Sequence, residues 1–327
     1  MKIKKVLIIS GISVVSVFLA ANVIGANIAL KAFSKLKLKK DYAWNEVPCE
    51  KKYNEDTEIG RKRAARNEEN FNFMKEKSTI ISTQSHDNLK LNALFACHEN
   101  PTNKYVIAMH GYRDDPSVIS TQASHFFDYG WNVLIPGQRG HGWSEGDCID
   151  MGSSACHDVI TWAKLIHSID GNARIVIFGV SMGAATVTMA TGLDDLPDYV
   201  VACIEDCGYT SIWDQVCYRS RIEYHIPPFP LVYATSIMSK IRHGYSFTEY
   251  SPLEAVKKSK TPTLFIHGSQ DTYVPTYMCQ ELYDAAVCPK DIIHIAGAEH
   301  AEASFVDEDT YWTAVDQFLS KYIEDGL

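Results

Sequence analysis

What this 327-residue chain lacks narrows what it can be. It has no internal repeat and no low-complexity tract, which sets aside solenoid and disordered architectures. With 46% hydrophobic residues it carries an ordinary share of apolar material, enough for one large α/β domain with appendages. Its nine cysteines (Cys49, Cys97, Cys148, Cys156, Cys203, Cys207, Cys217, Cys279 and Cys288) show no repeated Cys-x-x-Cys spacing, so they read mainly as buried or free thiols. Cys203 and Cys207 are the one pair placed for a zinc ion or a disulfide. The odd total argues for a reducing setting. Acid is missing from residues 1 to 40, which contain eight Lys; the formal net charge of −9 therefore leaves −17 on the rest. A body that acidic is ill suited to nucleic acid or to an anionic surface.

Charge of either sign is missing from Val6 to Leu30, a run long enough to cross a bilayer as a helix. Lys2, Lys4 and Lys5 before it resemble the start of a secretion signal. The run is longer than a signal core, however, and no Ala-x-Ala cleavage site closes it, so a single-pass membrane anchor over residues 1–40 is the expectation. Lys31, Lys35, Lys37, Lys39 and Lys40 follow the span, so both flanks are basic and the side on which the body lies stays open. Residues 41–77 are polar and charge-mixed and read as a solvated linker helix, with no catalytic assignment.

What is present begins with Gly179-Val180-Ser181-Met182-Gly183. Arg174-Ile175-Val176-Ile177-Phe178 before it is a β-branched run suited to a strand buried on both faces, and Ala184 to Leu193 after it is helix-compatible. Strand, tight turn and helix together make a nucleophile elbow, with Ser181 at the strained position and glycines where strand and helix approach. Around it the pattern alternates. Thr79–Ile81 and Leu89–Cys97 read as an antiparallel pair. Strands at Tyr105–Met109, Asn132–Ile135, Tyr199–Ile204, Thr263–Ile266 and Ile292–Ile295 are separated by helices near Ser117–Tyr129, His157–Ile169, Tyr277–Ala286 and Thr310–Tyr322. This predicts an α/β fold over residues 78–327, a mostly parallel sheet covered on both faces, with ligands beyond the carboxyl ends of the strands. Between about residues 209 and 260 the alternation breaks around Ile226-Pro227-Pro228-Phe229-Pro230. We read this aromatic stretch, with Trp213, Tyr218, Tyr224, Phe229 and Tyr233, as a helical cap over the site; the plainer reading is a surface excursion.

A serine hydroxyl needs a base within reach and an acid that orients the base. His300 stands after the last strand, in Gly297-Ala298-Glu299-His300. Asp271 stands after the strand Thr263–Ile266, in His267-Gly268-Ser269-Gln270-Asp271. Taken singly, an Asp in a Gly-Ser loop is a turn former and a lone His is usually solvated or in the core. Three such residues at three strand ends carry more weight. Asp206 is the competing acid and Glu205 and Glu299 lesser ones; Asp271 is preferred for its loop. Two backbone donors are also needed for a developing oxyanion, each worth about 3 kcal/mol. The N–H groups of Met182 and of Tyr112, the latter in His110-Gly111-Tyr112-Arg113, are the candidates. Gly140-His141-Gly142 lies near the same edge.

These motifs, with Arg139-Gly140-His141-Gly142-Trp143-Ser144, His267 to Pro275 and Ala298 to Glu302, resemble those of serine hydrolases of the α/β-hydrolase fold. More closely the chain is similar to membrane-anchored bacterial hydrolases that neighbour the BEM46-like and prolyl-oligopeptidase-like (S9) groups. The resemblance implies Ser181 as nucleophile, His300 as base, Asp271 as acid, no metal and no organic cofactor. Its relatives act on esters, thioesters and peptides, so it implies a small acyl ester, thioester or short peptide as substrate without choosing among them. No propeller accompanies the domain, which weakens a dedicated oligopeptidase reading. An Asp at the elbow would indicate dehalogenase or epoxide hydrolase chemistry; here it is Ser. The expectation is an ester or thioester hydrolase, with a peptidase or amidase, or a non-catalytic binding protein of this fold, as the alternatives.

Overall fold

The β-branched runs seen in the sequence become the strands of one eight-stranded sheet. It is described by a computed structural model covering residues 21–34 and 56–323. After a helical stretch over 21–34, the elements are α1 (Glu58–Lys77), β1 (Ser78–Gln84), β2 (Lys90–Ala96), β3 (Lys104–Met109), α2 (Ser120–Asp128), β4 (Asn132–Pro136), α3 (Ala155–Ile169), β5 (Arg174–Val180), α4 (Met182–Thr191), β6 (Val200–Asp206), α5 (Ile212–Ile222), α6 (Leu231–His243), α7 (Pro252–Val256), β7 (Thr263–Gly268), α8 (Tyr277–Ala285), β8 (Lys290–Ile295), α9 (Ala303–Val306) and α10 (Glu308–Leu319). The strand order is β1-β2-β4-β3-β5-β6-β7-β8. β2 is antiparallel to both β1 and β4, and every later pairing is parallel.

Central strands buried on both faces send successive side chains into two cores. On β5, Val176 and Phe178 join Phe126, Tyr311 and Phe318 beneath α2 and α10, whereas Ile175 and Ile177 join Trp162 and Val187 beneath α3 and α4. Burial of a side chain of this size is worth roughly 1.5–3 kcal/mol, so a one-residue slip of β5 would exchange the two cores and is strongly opposed.

α1 corrects the expectation of a solvated linker for its part of residues 41–77. Thr57 caps it by accepting from Gly60 N–H at 2.9 Å. Phe71 and Met74 are fully buried in the core shared with α2, and Lys62 reaches the Phe305 carbonyl at 2.7 Å. Phe71 and Met74 at i and i+3, with Phe73 partly buried beside them, dock a helix whose remaining positions are mostly polar. Residues 41–55 lie outside the described residues.

The break in the alternation holds α5, α6 and α7. Tyr209, Ile212, Val232 and Phe247 pack with Met182 and Ala185 of α4, so this cap insertion lies over the start of the helix that follows the elbow. Of the expected span from Val6 to Leu30, residues 6–20 lie outside the described residues. Residues 21–34 bury Ala26, Leu30 and Ser34 at spacings of four, one face of a helix. Among the described residues no helix is long and apolar enough to cross a membrane.

Candidate active site

β5 ends at the elbow because Ser181 takes φ 58° and ψ −118°, a conformation costly for a residue with a Cβ. The strain is held from both sides. Ser181 N–H donates to the Asp206 carbonyl at 2.8 Å, and its carbonyl accepts from Ala185 N–H at 3.0 Å. Gly183 lets α4 cross β3 so closely that a Cβ there would stand 2.0 Å from the Met109 carbonyl oxygen. At Gly179 a Cβ would stand 2.3 Å from the Gly183 carbonyl carbon. Only glycine fits either place.

The loops after β7 and β8 reach the same edge. Gly297 at φ 79° turns the chain out of β8, and His300 points back at the elbow. Its Nε2 lies 2.9 Å from Ser181 Oγ and its Nδ1 lies 2.7 Å from Asp271 Oδ2. With the carboxylate at Nδ1, the imidazole proton belongs there and the Nε2 lone pair faces the serine hydroxyl. Asp271 is fully buried and well satisfied. Its Oδ1 accepts from the N–H groups of Tyr273 (2.8 Å) and Val274 (2.9 Å), and Oδ2 also faces His267 Nε2 at 3.2 Å. Burial by itself would raise its pKa, but hydrogen bonds from His267 and His300 outweigh that and hold the carboxyl well below the usual range.

The competing acids are engaged elsewhere. Asp206 Oδ2 accepts from Tyr311 Oη at 2.9 Å, and burial pushes its pKa up to about 6. Glu205 accepts from Gly208 N–H; burial raises it to about 7, with His267 opposing. Glu299 is exposed, and its N–H donates to Glu302.

Tyr112 follows Gly111, where a Cβ would come 3.6 Å from Ser181 Cβ, and Met182 opens α4. The loop carrying Tyr112 thus approaches the Ser181 side chain, and Met182 directly follows Ser181. The loop carrying Tyr112 is braced from behind: Arg113 N–H donates to His141 Nε2 at 3.2 Å, and Gln138 N–H to His110 Nε2 at 3.2 Å. Arg139 beneath them bonds Asp158 with two contacts of 2.6 Å and Asp87 at 2.8 and 3.0 Å. Gly140-His141-Gly142 thus supports the loop opposite the elbow.

A cleft of about 310 Å³ opens over Ser181, lined also by Arg63, Tyr112, Tyr273, His300 and Phe305. Arg63 was not foreseen. It comes from α1, donates to the His300 carbonyl at 3.3 Å and faces Glu302 at 3.7 Å, contacts more than two hundred positions away that no local pattern signals. His267, four residues before Asp271 in the same loop motif, is the other partner that the local pattern does not assign. Cys203 and Cys207 are both free thiols. The Cys207 thiol lies with the ligand atoms of Asp271 and His300 inside 4.8 Å, a spacing a metal could use. Burial and nearby carboxylates keep that thiol protonated, and the other two groups already bond each other, so the donor set fits a proton relay better than an ion.

The family model described as "Serine aminopeptidase, S33" matches residues 100–223. The chain is 32% identical over 227 residues to an uncharacterized protein of Bacillus subtilis, YqkD, covering 68% of this chain and 73% of that protein. It is 27% identical over 256 residues to an uncharacterized membrane protein of Saccharomyces cerevisiae (77% and 81% covered). Over 145 residues it is 28% identical to protein bem46 of Schizosaccharomyces pombe (44% and 43%). Among solved structures, an esterase of Pyrococcus furiosus superposes with a TM-score of 0.62 at 21% identity, covering 75% of this chain and 91% of that one. An acylaminoacyl peptidase of Pyrococcus horikoshii gives 0.56 at 17% identity, with 76% and 43% covered. With the parallel sheet and elbow described above, these matches show that the chain belongs to the α/β-hydrolase family and is a hydrolase of that fold.

Proposed function

We propose that the chain is a serine hydrolase that cleaves carboxylic ester or thioester bonds through an acyl-enzyme. The observation that carries this reading is the continuous chain of contacts from Ser181 Oγ to His300 (2.9 Å) to Asp271 (2.7 Å) at the floor of the cleft. His300 Nε2 takes the Ser181 proton as Oγ bonds the substrate carbonyl carbon. The oxyanion so formed accepts from the N–H groups of Met182 and Tyr112. The bond to the leaving oxygen or sulfur then breaks, and His300 returns the proton to it. Water repeats the sequence on the acyl-serine, releasing the acid. Asp271 keeps the imidazole in the required tautomer and stabilises its charged form. No step calls for a metal or an organic cofactor.

The test is labelling of the full chain with a fluorophosphonate, followed by peptide mapping. The expected result is one adduct, on Ser181, abolished in Ser181→Ala. A folded protein that takes no label would refute the proposal in favour of a non-catalytic binding role. A second reading, peptidase or amidase action, is favoured by the family description. Short-chain nitrophenyl esters assayed against aminoacyl and prolyl amides separate the two. We further assign residues 6–30 to a membrane anchor, on the strength of the charge-free run and of the similar yeast membrane protein.

A further inference from the structure

Sixteen large apolar side chains are well exposed among the described residues, and ten of them fall in two short segments. Val23, Ile24 and Ile28 are on the helical stretch 21–34. Seven more, from Ile222 to Ile241, are in the cap, where Tyr233, Ile237 and Ile241 recur every fourth residue along one face of α6. The two segments touch: a Cβ on Gly25 would stand 3.2 Å from Leu231 at the start of α6, and the Phe33 ring packs on Phe247, beyond the end of α6, with centroids 5.3 Å apart. This clustering is unlike the scattered exposure of single apolar residues normal for a protein surface.

The length of chain leading into the helix says what covers the face. Residues 6–20, uncharged and outside the described residues, would span about 22 Å as a helix, short of a hydrocarbon core of about 30 Å. Completing the crossing takes about five more residues, which reaches Gly25, the position packed against the first turn of α6. The apolar run continues to Leu30 and closes at exposed Lys31. A bilayer boundary near Lys31 would place Val23, Ile24 and Ile28 at the level of the lipid, together with the start of α6 that packs against Gly25.

The partly buried side of the helical stretch reaches the cleft wall. Phe33 stacks on Tyr112 with centroids 6.0 Å apart, and its carbonyl accepts from the Tyr112 hydroxyl. Across the mouth, Arg219 of α5 lies 4.0 Å over the Tyr273 ring, which stands 4.9 Å from the His300 ring.

The geometry points to a cap that sits on the membrane: the apolar face of helix 21–34 and α6 rests in the interfacial layer of a lipid bilayer, and the cleft takes an amphiphilic acyl ester from that layer. The choice of substrate rests on the acyl-hydrolase reading; the seating of the cap does not. An amphiphile held at the headgroup level would meet the cleft mouth without first entering water.

The test uses the full chain in phosphatidylcholine vesicles doped with a diazirine-bearing phosphatidylcholine, with cross-linked peptides mapped after irradiation. Lipid adducts are expected on residues 229–237 as well as 23–28. A charge on a lipid-facing position should reduce adducts on α6 about tenfold in Ile237→Asp, while Ile237→Leu leaves them unchanged. In parallel, hydrolysis of a long-chain nitrophenyl ester dissolved in the vesicles is compared with that of nitrophenyl acetate in water. Ile237→Asp should lower the first about tenfold and leave the second within about twofold. Lipid adducts confined to residues before 29, with none at 229–237, would overturn the seating. Lipid adducts on α6 with neither ester hydrolysed would keep the seating and overturn the substrate.

Discussion

Replacing Asp271 by Asn tests the proposed relay at its most buried member. An amide keeps one acceptor and gains a donor. The N–H groups of Tyr273 and Val274, at 2.8 and 2.9 Å, require the acceptor, so the amide nitrogen must turn toward His300 and His267. His267 can keep its donation to the Val274 carbonyl at 2.9 Å. His300 then has to accept at Nδ1, which moves its proton to Nε2, facing Ser181. A nitrogen already protonated cannot take the serine proton. Loss of the correct tautomer costs roughly 10⁴-fold in kcat, about 5 kcal/mol of transition-state stabilisation. Stability should fall as well, by about 2–4 kcal/mol, because several charge-assisted hydrogen bonds become neutral ones. The pH dependence has a definite sign. A carboxyl held low in the folded state stabilises fully above its unfolded pKa of about 4, and that contribution is lost as pH falls toward the folded value. The wild type should therefore lose stability in acid more steeply than the variant. The assays are hydrolysis of nitrophenyl acetate and second-order labelling by a fluorophosphonate from pH 5 to 9, with thermal melting as the check on folding. A folded variant within tenfold of wild type at pH 8 would show that Asp271 does not set the tautomer.

At the elbow, Gly183→Ala forces a Cβ onto the Met109 carbonyl and should cost more than about 4 kcal/mol or prevent folding, whereas Gly171→Ala meets nothing within 4 Å; comparison of soluble yield and urea midpoints decides it. Burial raises the Glu205 carboxyl to about 7 from 4.5, so between those values the folded state binds more protons than the unfolded one and stability falls as pH rises. Glu205→Gln, which keeps an acceptor for Gly208 N–H, should gain up to about 3 kcal/mol at pH 8 and flatten the melting profile from pH 5 to 7; an unchanged profile would remove Glu205 as its cause. Arg139→Lys replaces a fork that holds Asp158 and Asp87 at once by an ammonium that cannot reach both, and should cost about 3 kcal/mol in chemical unfolding, an effect absent if the pair is solvated.

The parts of the site readable in the sequence are those fixed by local or topological rules. Gly179 and Gly183 announce the elbow because no other residue survives a Cβ contact of 2.3 or 2.0 Å with neighbouring backbone. Asp271 and His300 could be placed because a parallel sheet delivers every strand-end loop to one edge, whatever the distance along the chain. What stayed hidden was held by long-range packing. α1 reads as polar nearly throughout, and only docking through Phe71 and Met74 brings Arg63 against the His300 carbonyl.

Strand ends were misplaced for a related reason. Apolar patterning stops β6 at Ile204 and β7 at Ile266, yet the strands run on to Asp206 and Gly268. The added residues include Glu205, Asp206 and His267, all fully or almost fully buried. A polar residue inside a strand breaks the pattern that identifies strands, so a periodicity reading ends each strand where its buried polar residues begin. In this fold those positions lie directly beneath Ser181 and Asp271. They are buried because they support the edge: Asp206 supplies the carbonyl that holds the Ser181 N–H, and His267 supplies a second proton to Asp271. Burial raises the Glu205 and Asp206 carboxyls and so costs stability near neutral pH, whereas His267 is compensated by Asp271. The loss of apolar pattern at the carboxyl ends of β6 and β7 is thus itself a sequence signal for where the site lies.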